Sequence, residues 1–169
     1  MSSKTATCFS VGDLIVYPAH GVGRITAIET QVMYGDALEL FVISVEREGL
    51  RLMVPKRRAR VSGMRPLVAR AEAERALGVL SGKARGKTGT WARRAQEYEK
   101  KINSGDLLLA AEVVRDLRSG SVSGSGSYSE RQIFERALDR VSRELGPVLG
   151  RDTDQIRREI EAGPSAKAA

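Results

Sequence analysis

The chain has 169 residues, enough for one ordinary domain or two small ones, and its 41% hydrophobic content is too high for a wholly disordered chain. Lys and Arg number 28 against 21 Asp and Glu, and the formal net charge of +7 favours a polyanionic partner, either nucleic acid or an acidic protein face. A single cysteine, Cys8, and a single histidine, His20, exclude an internal disulfide and a zinc site of Cys and His ligands.

In chain order, the first 65 residues or so read as strands. Leu14 to Tyr17 is a short apolar run that Pro18 interrupts. Val22 to Ile28 alternates, with Val22, Arg24, Thr26 and Ile28 on one face and Gly23, Ile25 and Ala27 on the other. Thr30 to Tyr34 and Leu38 to Val45 flank Gly35-Asp36, which reads as a hairpin turn with glycine supplying a positive φ. Glu46 to Gly49 forms a second turn, and Leu50 to Val54 is a strand that Pro55 ends. Short strands joined by tight turns point to a small twisted or barrel-like sheet.

From about Pro66 the composition shifts to Ala, Glu, Arg and Leu at helical spacing. Helices are expected over Val68 to Leu80, Trp91 to Ile102 and Asp106 to Leu117, with Gly82 to Gly89 breaking the first from the second. Ser119 to Ser129 is mostly Ser and Gly and reads as a flexible loop. Ser127-Tyr128-Ser129-Glu130 is a capping box that starts a fourth helix, whose stripe is Phe134, Ala137, Leu138, Val141 and Leu145. Gly146-Pro147 is expected to end it, and a short helix around Asp154 to Glu161 follows. The expected fold is α+β: a small β domain over 9–65, an all-α bundle over 66–163, and flexible termini at 1–8 and 164–169.

Few stretches suggest chemistry. Gly82 to Thr88 imitates a phosphate-binding loop, but only three residues separate its glycines and it follows a helix, not a strand. Cys8 falls in a terminal segment and His20 in a turn, which argues against a nucleophilic pair. No apolar run reaches the ~20 residues that span a bilayer, and no signal-like stretch opens the chain. The expectation is a cytoplasmic protein without cofactor or metal, and not an enzyme.

The informative segment is Thr90-Trp91-Ala92-Arg93-Arg94. Thr90 is a natural N-cap, which puts Trp91 at the first helical position. Trp91, Ala95, Tyr98 and Ile102 follow at core spacing, so the indole reads equally as the start of the core stripe. Two features favour an exposed role. Helical side chains lean toward the N-terminus, so a ring at the first position projects beyond the helix end. Arg93 and Arg94 sit in the first turn, where the helix dipole disfavours cations by ~0.3–1 kcal/mol each unless an anion arrives. Such an aromatic plate beside basic groups suits a nucleic-acid base step. Met53 and Pro55 end a strand whose edge could receive a partner's strand, or could simply be solvated beside Lys56-Arg57-Arg58.

These stretches together resemble the CarD/CdnL family of bacterial RNA-polymerase-binding transcription regulators. The resemblance rests on Phe9 to Asp13, Val16-Tyr17-Pro18, His20 to Gly23, Ile28-Glu29 and Val54-Pro55 in the first module. It continues in Thr90 to Arg94, Ser104-Gly105-Asp106 and Ala111 to Leu117 in the second, and covers about residues 9–145. It implies a Tudor-like N-terminal domain that docks on the polymerase β subunit, with Val42, Met53 and Pro55 at contact positions. It also implies a helical domain that reaches promoter DNA at the upstream edge of the melted region. There Trp91 would wedge into the minor groove while Thr90, Arg93, Arg94 and Arg131 stand at DNA-facing positions. The expected outcome is a monomer that stabilises the open promoter complex. The alternative is a stand-alone nucleic-acid-binding protein that needs no polymerase. Gln31 and Met53 stand where some relatives carry arginines, and Gln96 where some carry a basic residue.

Overall fold

A computed structural model describes residues 9–164, and the chain divides into two units, one up to Leu67 and one from Val68. Cys8 and nearly all of both expected flexible termini lie outside the described residues.

The first unit is a five-stranded antiparallel sheet. Its strands are β1 (Leu14–Tyr17), β2 (Gly21–Met33), β3 (Asp36–Val45), β4 (Leu50–Pro55) and β5 (Arg65–Pro66), in the order β4-β3-β2-β1-β5. The pleat sends Phe41, Ile43 and Val45 to one face, where they pack with Ile15, Ile25, Val54, Ala59 and Met64. Strand β3 lies inside the sheet and also buries Leu40 and Val42 on its other side. His20 Nδ1 and Glu48 Oε2 lie 2.8 Å apart in a hydrogen bond that ties the β1–β2 turn to the 3-10 turn Glu46–Glu48.

Two local expectations fail here. The β2–β3 turn is Tyr34-Gly35, not Gly35-Asp36, because both turn residues adopt positive φ (52° and 85°), a pattern that usually recruits Asn-Gly. The alternation along β2 also breaks. A bulge between Ile25 and Ala27 leaves Thr26 without a cross-strand partner, so Ala27 pairs with the outward side of Val42 and Ile28 with core-facing Phe41. The faces of Ala27 and Ile28 are therefore exchanged relative to a simple period of two.

The second unit is a bundle of α1 (Arg70–Leu80), α2 (Trp91–Asn103), α3 (Leu107–Ser123), α4 (Tyr128–Leu149) and α5 (Thr153–Ala162). The stripe Phe134, Ala137, Leu138, Val141 and Leu145 is buried as its spacing requires, against Val113, Val114 and Leu117 of α3. Burying one of its larger apolar side chains contributes ~1.5–3 kcal/mol. Val68 N donates to Glu144 Oε1 at 3.1 Å and pins the start of this unit to α4.

Helix α3 runs to Ser123, well into the stretch expected as a loop. Gly120 serves packing there: a Cβ would lie 2.8 Å from Oε1 of buried Glu130. Gly124, at φ 76°, ends the helix. Helix α4 likewise passes through Gly146-Pro147. Pro147 falls in the last turn, where it forfeits a single backbone bond, and Gly150 in the left-handed conformation caps the end, donating to Gly146 O and Pro147 O.

Candidate nucleic-acid interface

The site is assembled by the cap of α2. Thr90 Oγ1 accepts from Arg93 N at 3.3 Å, which fixes Trp91 as the first helical residue. Trp91 is half-buried. One side packs against the bundle core, with its centroid 6.3 Å from that of Tyr98 at an interplanar angle of 46°. The ring is therefore both the first member of the core stripe and a partly open surface at the end of the helix.

The adjacent arginines part company. Arg93 points to solvent and lies 3.8 Å from Glu97 one turn on. Arg94 folds back, its guanidinium carbon 5.3 Å from the Trp91 centroid. Its Nε and Nη1 are buried without a hydrogen-bond partner among the described residues. Burial, then the charge of Asp116, pushes the Tyr98 phenol above its ordinary pKa, and Arg94 opposes this.

Ion pairs orient the bundle around this ring. Lys101 Nζ lies 2.9 Å from Glu112 Oε2 of antiparallel α3. On the other flank, Arg136 of α4 lies 3.6 Å from Glu99, and Arg140 Nη1 donates to Ile102 O at 3.0 Å, so α2 and α4 run parallel. Two helix N-termini with their positive dipole ends thus share one end of the bundle. Ser127 Oγ caps α4 by accepting from Glu130 N at 3.2 Å. The Glu130 carboxylate, expected to complete the capping box, packs instead over Gly120 and Gly126. Arg131 is exposed in the first turn of α4.

Sequence reasoning missed Tyr128, the first residue of α4 and 70% exposed, whose hydroxyl accepts from Gln132 Nε2 at 2.6 Å. The signal was available, because an aromatic directly after an N-cap is the feature that singled out Trp91.

In the sheet unit, Met53 of edge strand β4 is 43% exposed, and Pro55 is partly exposed on the same face. Val42, directly across from Met53, is fully buried. The structure thus brings all three to one sheet face, but only Met53 and Pro55 offer side-chain surface.

The CarD C-terminal domain family matches residues 75–161, and the CarD-like/TRCF RID domain family matches residues 9–68. The chain belongs to the CarD family. The family is one of transcription factors, not of enzymes. "Putative transcription factor YdeB" of Bacillus subtilis (strain 168) is 28% identical over 149 residues, covering 88% of this chain and 97% of that protein. The solution NMR structure of the 72-residue N-terminal domain of Myxococcus xanthus CarD is 34% identical, covering 34% of this chain and 77% of that one, with a TM-score of 0.30.

Proposed function

We propose that this CarD-family chain binds the RNA polymerase β subunit through the edge of its sheet and promoter DNA through its helical unit, and so stabilises the open promoter complex. Trp91 enters the minor groove at the upstream edge of the melted region. Arg93 and Arg131 contact phosphates, Thr90 holds the helix start, and Arg94 braces the indole. Met53 and Pro55 meet the polymerase, with buried Val42 beside Met53 on the adjacent strand. The observation that carries this reading is the half-open Trp91 ring at the capped start of α2, at the bundle end where α4 also begins.

Magnitudes are consistent with a regulatory role. A base step that has begun to open costs a few kcal/mol to keep unstacked. An aromatic face returns ~1–3 kcal/mol of that, enough to shift a closed–open equilibrium about tenfold. Phosphate contacts from a few side chains are weak alone, and tethering to polymerase raises the effective concentration that makes them count.

The test is the lifetime of open complexes formed by the cognate polymerase on a promoter fragment. Wild-type protein should lengthen it. Trp91→Ala should bind polymerase yet lose the effect, whereas Met53→Glu should fail to bind polymerase. A wild-type protein that binds the isolated promoter tightly and sequence-selectively, with no response to polymerase, would support the stand-alone alternative and defeat this reading.

A further inference from the structure

The segment from Gly82 to Thr88 follows a helix and not a strand. It joins α1 to α2 and passes beside α3, because Arg118 Nη1 of α3 donates to Leu80 O at the end of α1. It is held in that passage by its backbone: Arg85 N donates to Asp116 Oδ1 at 3.0 Å. The same carboxylate oxygen accepts from Arg115 Nε at 2.9 Å, so this acid is already committed. Lys83, Arg85 and Lys87 are all exposed and form no ion pair with any described residue. Three like charges on seven residues repel one another, and no acid of the bundle pairs with them.

Their place relative to Trp91 gives them a use. Helix α2 has α3 on one flank, through Lys101 and Glu112, and α4 on the other, through Glu99 and Arg136. The loop is tied to α3 by Asp116, near the level of Tyr98, and then leads directly into Thr90 and Trp91. Arg131 stands on α4. The loop thus reaches Trp91 from the α3 flank, and the first turn of α4, with exposed Arg131, lies on the other flank at the same end of the bundle. A duplex minor groove has the matching form, a channel of roughly 6 Å with a phosphate rail along each wall.

We infer that the Gly82–Thr88 loop grips one DNA strand while Arg131 grips the other, so that the protein clamps both phosphate rails of the groove that Trp91 enters. The ligand is the sugar-phosphate backbone of duplex DNA, and Lys83, Arg85 and Lys87 are the binding groups. This rests on the reading of Trp91 as the groove-entering ring. The anchor is a main-chain N–H, so the side chains can be exchanged without loosening the loop.

The test uses the full chain and a promoter duplex containing a short mismatch bubble, with affinity followed by anisotropy over a salt series. K83Q/R85Q/K87Q should lower the log–log salt slope by about 2–3, at ~0.9 for each phosphate no longer neutralised. A control, R70Q/R75Q/R158Q, removes three exposed arginines elsewhere on the unit and should leave the slope within about one of wild type. Duplexes with methylphosphonates on one strand then assign the rails. Neutralising one strand should weaken wild type but not the loop variant, and neutralising the other should weaken wild type but not R131Q. An unchanged slope for the loop variant, an equal fall in the control, or a loop and an Arg131 sensitive to the same strand would each overturn the inference. Separately, a Trp91→Ala protein with undiminished bubble affinity and open-complex lifetime would defeat the Trp91 reading, whatever the loop does.

Discussion

Arg94 lies over Trp91, guanidinium carbon 5.3 Å from the indole centroid, while Arg93 beside it faces solvent. Successive residues on an α-helix are about 100° apart, so neighbouring arginines are directed differently by geometry alone. A cation over an indole contributes ~0.5–2 kcal/mol, and here it also limits the attitudes the ring can take. Arg94→Gln should free the ring. Trp91 is the sole tryptophan, so its emission should shift to the red and its anisotropy fall in the DNA-free protein. Arg94→Lys keeps the charge without the plane and should lie between. An Arg94→Gln protein with unchanged emission, whose DNA-binding salt slope falls by about one, would instead make Arg94 a phosphate contact.

Tyr128 stands to α4 as Trp91 does to α2, and it is far more exposed. If this end of the bundle meets melting DNA, the phenol adds a second stacking surface. Tyr128→Ala should weaken binding to a bubble-containing template by roughly tenfold, within the ~1–3 kcal/mol of one base–aromatic contact. Binding to fully paired duplex should change little, and so should stability. Equal losses on both templates would mean the ring acts on the backbone and not on bases.

The Tyr98 phenol gives the helical unit an alkaline limit. Its pKa is raised above 10.0 by burial and then by the charge of Asp116. A raised folded-state value favours the neutral phenol, so the associated stability is complete below the unfolded pKa of ~10 and declines as pH rises through the folded value. Wild type should therefore lose stability above about pH 10 more steeply than Tyr98→Phe. The comparison is made by urea unfolding followed through helical circular dichroism. Parallel pH profiles for the two proteins would show that the phenol does not titrate against the fold.

What could be read from the chain alone follows from how local each signal is. The starts of α2 and α4 were readable because Thr90 and Ser127 cap within three residues of themselves, and the α4 stripe because a 3.6-residue period needs only its own helix. The places of Trp91 and Arg93 in the first turn of α2 were readable on the same grounds. Misread features depend on distant partners. The bulge at Thr26 is a property of the β2–β3 pair, and the left-handed Tyr34 is tolerated only because the strands on either side impose it. Likewise, the burial of Val42 reflects the place of β3 inside the sheet, and the inward turn of Arg94 reflects the indole and phenol already there. Composition misled most where Ser and Gly read as a linker but Gly120 was close packing.

Gly120→Ala tests that packing directly. If the Ser119 to Ser123 segment were a flexible tether, alanine would be neutral or would stabilise by up to ~1 kcal/mol through helix propensity. In the structure, the added Cβ meets Glu130 Oε1 at 2.8 Å, and Glu130 is buried at the first turn of α4. The carboxylate must then move or the two helices must part, at ~1–3 kcal/mol, typical of overpacking. Thermal unfolding of the full chain should show a lower midpoint for the variant. Gly124→Ala should also destabilise, but through its φ of 76° and not through a collision, since nothing lies within 4 Å of its Cβ position. Shortening the acid with Glu130→Asp in each of the two variant backgrounds separates them. It should restore part of the loss at Gly120 and none of the loss at Gly124, because only the first arises from a collision with that side chain.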